Sequence, residues 1–270
     1  MKKTTVFSVM AMAAIGAMVT IVPPSCSKKD NGNPQTPPTD TTPTTPPDTT
    51  PVTPDPAKEY GELPGGIKGT DFHIIYMDAV SAAAIAEYTT VPVMMRDYQV
   101  WDATYNWNKA TSGPNAFGED EGWVSWVVAD IGAGWSGGAI MIKPEEGFET
   151  APDLSGIDNT YTLHLAIKSP SSQPTAGHVI TFVSESGKPG EVKLYFGPEE
   201  GVFDGATFIS DYAHDGVWHH FEVPASHFLD NGLLWTGPIA EERSILVFLS
   251  GETAGNELNL DAVFFYKKVE

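Results

Sequence analysis

Aromatic residues alternate with amides and an acid in the segment VWDATYNWNK, which lies in the first half of the chain. Trp101, Tyr105 and Trp107 supply flat apolar ring faces, while Asn106 and Asn108 supply amide donors and acceptors beside them. Such a set suits a ligand that has an apolar face and a rim of hydroxyl groups, as a sugar ring has. Tryptophan is also a large core residue, so each ring is interpreted separately as packing or as ligand contact.

Four rings are predicted to face solvent, because their neighbours are the Asn, Gly, Thr and Ser residues that are typical of loops. With two adjacent amides they form the candidate ligand-binding set of Tyr105, Trp107, Trp135, Trp235, Asn106 and Asn108. Asp102 and Arg96 are further candidates for contacts with hydroxyl groups. Trp126 shares a predicted strand face with two valines and is assigned to the core, Trp101 is expected to pack, and Trp123 stays undecided.

Catalytic groups are less evident. Glycoside hydrolysis requires two carboxylates across the scissile bond, and the acid clusters at 119–121, 145–149 and 199–200 lie beside glycines or prolines, which indicates loops. The segment Gly134-Trp135-Ser136-Gly137 is interpreted as a tight loop rather than as the elbow of a serine nucleophile, and no phosphate-binding glycine loop is present. His219 and His220 point to opposite faces of one predicted strand, which argues against a metal site shared with His214.

The elements that must position these residues are predicted to be strands. Apolar and polar residues alternate in YTLHLAIK, EVKLYFG and ELNLDAVFFY, and turn residues separate such segments. Similar segments occur at 72–77, 123–130, 179–183, 217–223 and 245–249, whereas the best helical candidate, 79–88, is short. The sequence therefore predicts an all-β fold, a single β-sandwich of the jelly-roll type.

The N-terminus has the features of an exported and anchored chain. Two lysines, an apolar run and small residues describe a signal peptide over residues 1–25, although an uncleaved membrane anchor is the alternative. Cys26, the single cysteine, follows Ser25 and resembles the lipidated cysteine of Gram-negative lipoproteins, although Pro23 departs from the aliphatic residue usual there. A chance free thiol is the alternative interpretation.

A disordered stalk is predicted between Cys26 and the folded domain. The segment 31–57 contains nine prolines, nine threonines and one aliphatic residue of any size, Val52. It has too little apolar surface to offset chain entropy. The predicted boundaries are therefore a signal peptide at 1–25, a lipidated cysteine and linker at 26–58, and a β-sandwich at 59–270.

The charge excludes some partners. Removing residues 1–25 takes away two lysines and no acids, which changes the net charge from −20 to −22. Such an acidic chain repels polyanions, so a nucleic-acid partner is not expected.

Three segments carry a family resemblance. DLSGIDNTYTLHLAIKS, DGVWHHFEVPASHF and ELNLDAVFFYKK resemble landmarks of jelly-roll carbohydrate-binding modules, in which Trp218 is a packing residue. The layout of lipidated cysteine, Pro/Thr stalk and jelly roll is similar to surface glycan-binding lipoproteins of polysaccharide-utilisation systems. This resemblance implies non-catalytic binding of a polysaccharide or oligosaccharide. A glycoside hydrolase or polysaccharide lyase of the same fold, and a structural or adhesive surface subunit, remain open.

The same resemblance implies a location, partners and a cofactor. The expected location is the outer membrane, with lipid on Cys26 in the bilayer and the domain at the cell surface, although the periplasmic face stays open. Outer-membrane transporters or enzymes are the expected protein partners. A structural Ca²⁺ is expected at Asp261 with Asp78 as a second ligand, since calcium prefers such oxygen ligands. The alternative is that Asp261 faces solvent or caps a neighbouring backbone group.

Overall fold

The alternating segments of the sequence form β-strands in the structure, a computed structural model. It describes residues 59–94, 97–108, 113–120, 122–142, 152–170, 177–184, 190–239 and 241–270, without the side chains of Trp107 and Asn108. Cys26, the stalk and Arg96 lie outside the described residues. The strands are β1 (Gly61–Leu63), β2 (Ile67–Tyr76), β3 (Thr89–Val91), β4 (Asp97–Val100), β5 (Tyr105–Asn108), β6 (Val124–Val128), β7 (Ser136–Ile142), β8 (Tyr161–Lys168), β9 (His178–Val183), β10 (Glu191–Phe196), β11 (Ala206–Ser210), β12 (His219–Pro224), β13 (Arg243–Ser250) and β14 (Glu257–Lys268), and the helices are α1 (Ala79–Ala84) and α2 (Ala225–Asp230).

Within the described residues these strands form two sheets. The large sheet has eight strands: its order is β1-β2-β14-β6-β5, with β3 beside β2, β8 also on β14, and β12 on β8. The small sheet has six strands in the order β11-β10-β9-β13-β7-β4. Pairing is antiparallel except between β2 and β3 and between β10 and β11. The predicted all-β sandwich is therefore confirmed.

The main core fills the space between the two sheets. Period-two alternation sends Leu163, Leu165 and Ile167 of β8 inward toward Ile180 and Phe182 of β9. Burying each such side chain stabilises the fold by about 1.5–3 kcal/mol relative to exposure. By the same alternation, the residues between these inward ones lie on the outward face of each strand.

A second apolar cluster covers part of the outward side of the large sheet. Phe72 stacks on Tyr266 with ring centroids 5.5 Å apart, and the cluster also contains Phe264, Leu63 of β1 and Phe117. The chain around α1 and the segment around Phe117 therefore cover this side of the sheet. The outward side of the small sheet carries no comparable buried apolar cluster among the described residues.

The helices are short and have local functions. Asp78 caps α1, where its Oδ1 accepts the backbone N–H of Ser81 at 2.8 Å. The second helix, α2, packs Phe228 against Phe182 of the core. No helix in the described part of the chain is both long and apolar enough to cross a membrane.

Candidate ligand-binding site

Two tryptophans lie side by side on the outward face of the small sheet. Gly137 in β7 faces outward, because Ile140 and Ile142 of the same strand point into the core. A methyl group on Gly137 would lie 2.5 Å from the Trp101 ring and 2.7 Å from the Trp135 ring, so both rings rest on this glycine. Their centroids are 6.5 Å apart, and Trp135 is 42% exposed. We call Trp101 and Trp135 the tryptophan pair.

A strained turn places Trp101 on this face. The chain leaves β4 in the small sheet and enters β5 in the large sheet within four residues. Asp102 and Ala103 take positive φ angles of 49° and 55°, which are uncommon for residues other than glycine. Buried Thr104 holds the turn, because its hydroxyl donates to the Trp101 carbonyl at 2.8 Å and accepts the Gly137 N–H at 2.9 Å. Such strain persists where the surroundings fix it, and it is often found at functional sites.

The strand register extends an apolar row from the tryptophan pair across the small sheet. Paired residues of adjacent strands share a face, so the row runs from β7 to β11. Its members are Gly137, Leu249, Val179, Tyr195 and Phe208. Tyr195 is buried because the backbone at Gly177, Gly197 and Gly201 lies against its ring and hydroxyl group. The row is therefore open at its two ends and closed in its middle.

A more polar row lies next to the apolar one. It consists of Gln99, Ala139, Val247, Thr181 and Lys193. Gln99 is exposed on β4, beside the tryptophan pair, and its amide offers both donors and an acceptor. Lys193 is half-buried toward the other end of the row. The open end at β4 and β7 thus combines two aromatic rings with an amide, and its chemistry suits contact with an apolar ring face that carries hydroxyl groups.

The sequence-predicted binding residues do not share one surface. Tyr105 was predicted in an open loop, and this is wrong: it begins β5, it is 4% exposed, and its hydroxyl donates to Ser250 at 2.9 Å in the core. Trp235 does lie outside the strands, but the prediction that it faces solvent is wrong, because it is 6% exposed and packs on Phe265. Its ring centroid is 5.7 Å from that of Phe265.

The remaining predicted residues are distributed over other surfaces. Asn106 is exposed on β5, on the outward side of the large sheet, since Tyr105 beside it points inward. Trp107 and Asn108 also belong to β5 rather than to a loop, but their side chains lie outside the described residues. Of the six predicted binding residues, Trp135 alone is in the tryptophan pair. Trp101, which was predicted to be buried, is its half-buried partner.

Some of the missed residues had a signal in the sequence. The alternation in EVKLYF places Val192, Leu194 and Phe196 on one face, so Lys193 and Tyr195 had to point outward. The start of β7 had no such signal, because Ser136, Gly137 and Gly138 lack the side chains that define a pattern. This segment was predicted to be a tight loop, and it is a strand because Gly138 leaves room for the Trp126 ring in the core.

The predicted calcium ligands lie near enough to each other to interact electrostatically. Asp261 is fully buried, so it does not face solvent, and its two carboxylate oxygens accept the N–H groups of Ala262 at 2.7 Å and Ala116 at 3.0 Å. Burial raises the pKa of Asp261 to about 7, although these two donors act in the opposite direction and the nearby charge of Asp78 adds to the rise. Oδ2 of Asp78 is buried without a hydrogen-bond partner.

These two carboxylates provide part of what a bound cation requires. A buried carboxylate oxygen without a partner, next to a second carboxylate, is destabilising unless a positive charge or a proton compensates it. Hard oxygen donors of this kind suit Ca²⁺. No group of three or more metal-ligating side chains occurs in the described parts of the chain, so backbone carbonyls or water would supply the other ligands.

Two of the histidines, His164 and His220, contact each other inside the fold. His164 is bonded through Nδ1 to the Ala262 carbonyl at 2.8 Å, and its Nε2 lies 3.1 Å from Nδ1 of His220. Burial lowers the pKa of His164 to about 4. His219 and His220 lie on opposite sides of β12, since His219 contacts Asp215 at 3.0 Å and the Tyr212 ring. The prediction that these two histidines point apart is confirmed.

Comparison with known proteins gives similarity to carbohydrate-binding modules at low identity. A scan against protein-family models gave no match, and a search of curated proteins gave none either. Two crystal structures of a family 30 carbohydrate-binding module align with TM-scores of 0.43 and 0.41, at 12% and 13% identity, over 73% and 66% of this chain and 98% and 84% of theirs.

A third solved structure also aligns with the chain at low identity. It is the family 11 carbohydrate-binding module of the cellulosomal cellulase Lic26A-Cel5E of Clostridium thermocellum, with 13% identity and a TM-score of 0.36 over 66% of this chain and 91% of that one. Because every one of these TM-scores is below 0.5, the alignments carry no argument about a ligand.

Proposed function

We propose that this domain binds a carbohydrate, without transforming it, through the tryptophan pair on the outward face of the small sheet. The observation that carries the proposal is the geometry of Trp101 and Trp135 over Gly137, with 42% of Trp135 open to solvent. An exposed tryptophan that packs against a second one is held in a fixed orientation, so it loses little conformational entropy when a ligand binds.

The chemistry of the pair matches one face of a sugar ring. The C–H groups of that face bury apolar surface against the indole, at about 25 cal/mol per Å². The hydroxyl groups on the rim need donors and acceptors, and the exposed Gln99 amide on the neighbouring strand offers both. A polysaccharide or oligosaccharide is therefore the ligand class that we propose.

Affinity electrophoresis and calorimetry with a panel of soluble polysaccharides test this function. We expect Trp135→Ala to weaken binding about tenfold or more, as truncation of an aromatic anchor commonly does. Phe203→Ala is the matched control, because this ring is similarly exposed, at 40%, but lies at the far end of the sheet beside Tyr195. Absence of binding to every polysaccharide, or equal binding by Trp135→Ala, would overturn the proposal. Release of reducing sugar would establish a hydrolase instead.

We also propose that Asp78 and Asp261 hold a structural Ca²⁺. The pKa of Asp261 is raised by folding, so the protonated carboxyl is favoured, and stability is lost as pH rises from about 4 through about 7. A cation beside the two carboxylates would reverse this loss. CaCl₂ is therefore expected to raise the Tm more at about pH 8 than at about pH 5, with MgCl₂ as the control for ionic strength.

Asp78→Asn tests the calcium site while keeping the helix cap intact. Asparagine is an equally good N-cap for α1, so the helix is kept while one carboxylate is removed. The variant should lose the response to calcium and, without calcium, should be as stable as the wild type or more stable above neutral pH. An unchanged calcium response in this variant, or none in the wild type, would rule the site out.

The anchoring of the chain is a separate proposal that rests on its sequence. We propose that Cys26 carries lipid, that the Pro/Thr stalk extends the domain from the outer membrane, and that the domain is at the cell surface beside a transporter or enzyme. Metabolic labelling with a fatty acid should be lost in Cys26→Ala. Protease treatment of intact cells should remove the domain if it is at the surface and leave it intact if it faces the periplasm.

A further inference from the structure

A pocket of about 280 Å³ opens on the outward side of the large sheet, at the end that the second apolar cluster leaves uncovered. Lys168, Glu257 and Asn259 line it, because their strand neighbours Ile167, Leu258 and Leu260 point into the core. Trp123, Pro170 and Gly216 complete the lining. The tryptophan pair is on the other side of the sandwich, so the two surfaces are independent.

Two tryptophan rings hold the Lys168 ammonium in this pocket. Its Nζ lies 4.3 Å from the ring centroid of Trp123 and 4.5 Å from that of Trp218, and the two rings are nearly perpendicular. Cation–π contacts of this kind fix the ammonium in place. They do not use its N–H donors fully, and no described oxygen accepts a hydrogen bond from it.

Glu257 presents an unused acceptor to the same pocket. Its Oε1 accepts Asn259 Nδ2 at 2.8 Å and the Ser125 hydroxyl at 3.4 Å, whereas its Oε2 has no partner among the described residues. No direct ion pair joins Glu257 to Lys168 in the described structure, although the carboxylate is near enough to affect the lysine electrostatically. A fixed donor and a fixed acceptor of opposite charge therefore line one small cavity without satisfying each other.

We propose that this pocket binds one neutral sugar residue through two adjacent hydroxyl groups. A hydroxyl both donates and accepts, so one accepts from Lys168 while its neighbour donates to Glu257, in two charge-assisted hydrogen bonds. Trp123 and Pro170 contact the C–H groups of the ring. The volume is slightly below the roughly 300–1,000 Å³ of pockets for drug-sized ligands, so it accommodates a single ring or chain end.

The balance of charge selects against other small ligands. A carboxylate placed at Lys168 would also approach Glu257, and an ammonium at Glu257 would also approach Lys168, whereas a neutral diol meets no repulsion. With the tryptophan pair on the opposite sheet, the domain would carry two sugar sites that face away from each other. One molecule would then bridge two glycan chains, or two segments of one chain.

NMR titration with methyl glycosides of glucose, galactose and mannose tests the pocket directly. The indole N–H signals of the seven tryptophans are assigned by single Trp→Phe variants. Binding in the pocket should shift the signal of Trp123 and the side-chain amide signal of Asn259, whereas contact with the tryptophan pair would shift that of Trp135. Glu257→Gln and Lys168→Met should each weaken the affinity about tenfold or more, since each removes a charge-assisted hydrogen bond.

Lys193→Met is the matched control, because it makes the same change on the other sheet and should leave the affinity for methyl glycosides unchanged. The pocket proposal would be overturned if no glycoside shifts the Trp123 signal, if both pocket variants bind as the wild type does, or if glycine binds there and the glycosides do not. Trp135→Ala separates it from the function proposed above, because that variant should weaken polysaccharide binding and leave the affinity of the pocket for methyl glycosides unchanged.

Discussion

At the scale of single residues, Asp71 joins three strands at one end of the large sheet. Its carboxylate accepts hydrogen bonds from Tyr161 at 2.8 Å, from the Lys267 ammonium at 2.8 Å, and from Thr90. Burial disfavours the charged form, but these donors outweigh it and keep the pKa of Asp71 below its ordinary value. Because folding lowers this pKa, the carboxylate stabilises the fold above about pH 4, and the stabilisation is lost as pH falls.

We predict that Asp71→Asn lowers the free energy of unfolding by about 1–3 kcal/mol at neutral pH. Asparagine also tolerates the positive φ of 59° at this position, so the substitution removes charge without new backbone strain. Urea denaturation at neutral pH and at about pH 3 should show that the difference between variant and wild type narrows in acid, because Asp71 begins to bind a proton in the unfolded chain first. Lys268→Met, which breaks the more exposed contact with Glu222, is the control and should change little. An equal loss at both pH values would show that charge is not the cause.

The candidate binding residues also show, one by one, what the sequence could predict. Trp126 was assigned to the core from the two valines that share its face, and its ring is fully buried. Tyr105 has polar or small neighbours in the sequence, and Trp235 lies between Leu234 and Thr236. Both rings are buried by contacts with distant parts of the chain, Tyr105 with Ser250 and Trp235 with Phe265. Local composition does not determine such long-range contacts, so these two rings were misplaced.

At the scale of elements, the surface face and the core face of β7 can be tested separately. Gly137 and Gly138 are adjacent, and a methyl group on Gly138 would lie 2.6 Å from the Trp126 ring and 2.9 Å from the Gln99 carbonyl. A methyl group on Gly137 would instead meet the tryptophan pair at the surface. The same chemical change therefore affects the core at one position and the proposed ligand contact at the next.

We predict that Gly138→Ala destabilises the domain by about 1–3 kcal/mol through overpacking of the core, and that the folded protein still binds polysaccharide. Gly137→Ala should displace the rings of the tryptophan pair and weaken binding, with a smaller loss of stability because surface rings can move. Thermal unfolding and affinity electrophoresis of both variants measure the two effects. If Gly137→Ala binds as the wild type does, the tryptophan pair is not the contact.

The strands themselves were largely predictable, for a physical reason that also explains the omissions. Strands such as β8, β10 and β14 have one buried face, so burial imposes a period-two pattern that is visible in the sequence. Strand β7 begins with small residues, and β5 spans four residues, too few to establish a period. Trp101 lies in the turn that leads into β5, and Trp135 lies directly before β7. The sequence therefore indicated the fold while leaving this part of the candidate site hidden.

At the scale of the whole molecule, buried histidines determine how stability depends on pH. Burial lowers the pKa of His164 to about 4 and that of His178 to about 3. A histidine whose pKa is lowered by folding favours the neutral form, so its stabilisation is complete above the unfolded value of about 6.5 and is lost as pH falls below it. Asp261, with its pKa raised to about 7, acts in the opposite direction over the range from about 4 to 7.

We predict that acid weakens the fold well above the titration range of ordinary carboxylates. Between about pH 6 and pH 4, His164 and His178 each lower the free energy of unfolding by about 1.4 kcal/mol per pH unit, and Asp261 raises it by a similar amount. Burial also lowers the pKa values of His73, His214 and His220, so the net loss is at least about 1.4 kcal/mol per pH unit. Urea denaturation at successive pH values measures this loss, and His178→Gln should reduce it by about 1.4 kcal/mol per pH unit. Ser250→Ala is the control, because it removes the 2.7 Å contact with His178 Nδ1 but no titrating group, so it should lower stability equally at every pH. A pH-independent free energy of unfolding over this range would contradict the assignment of His164 and His178 as buried and neutral.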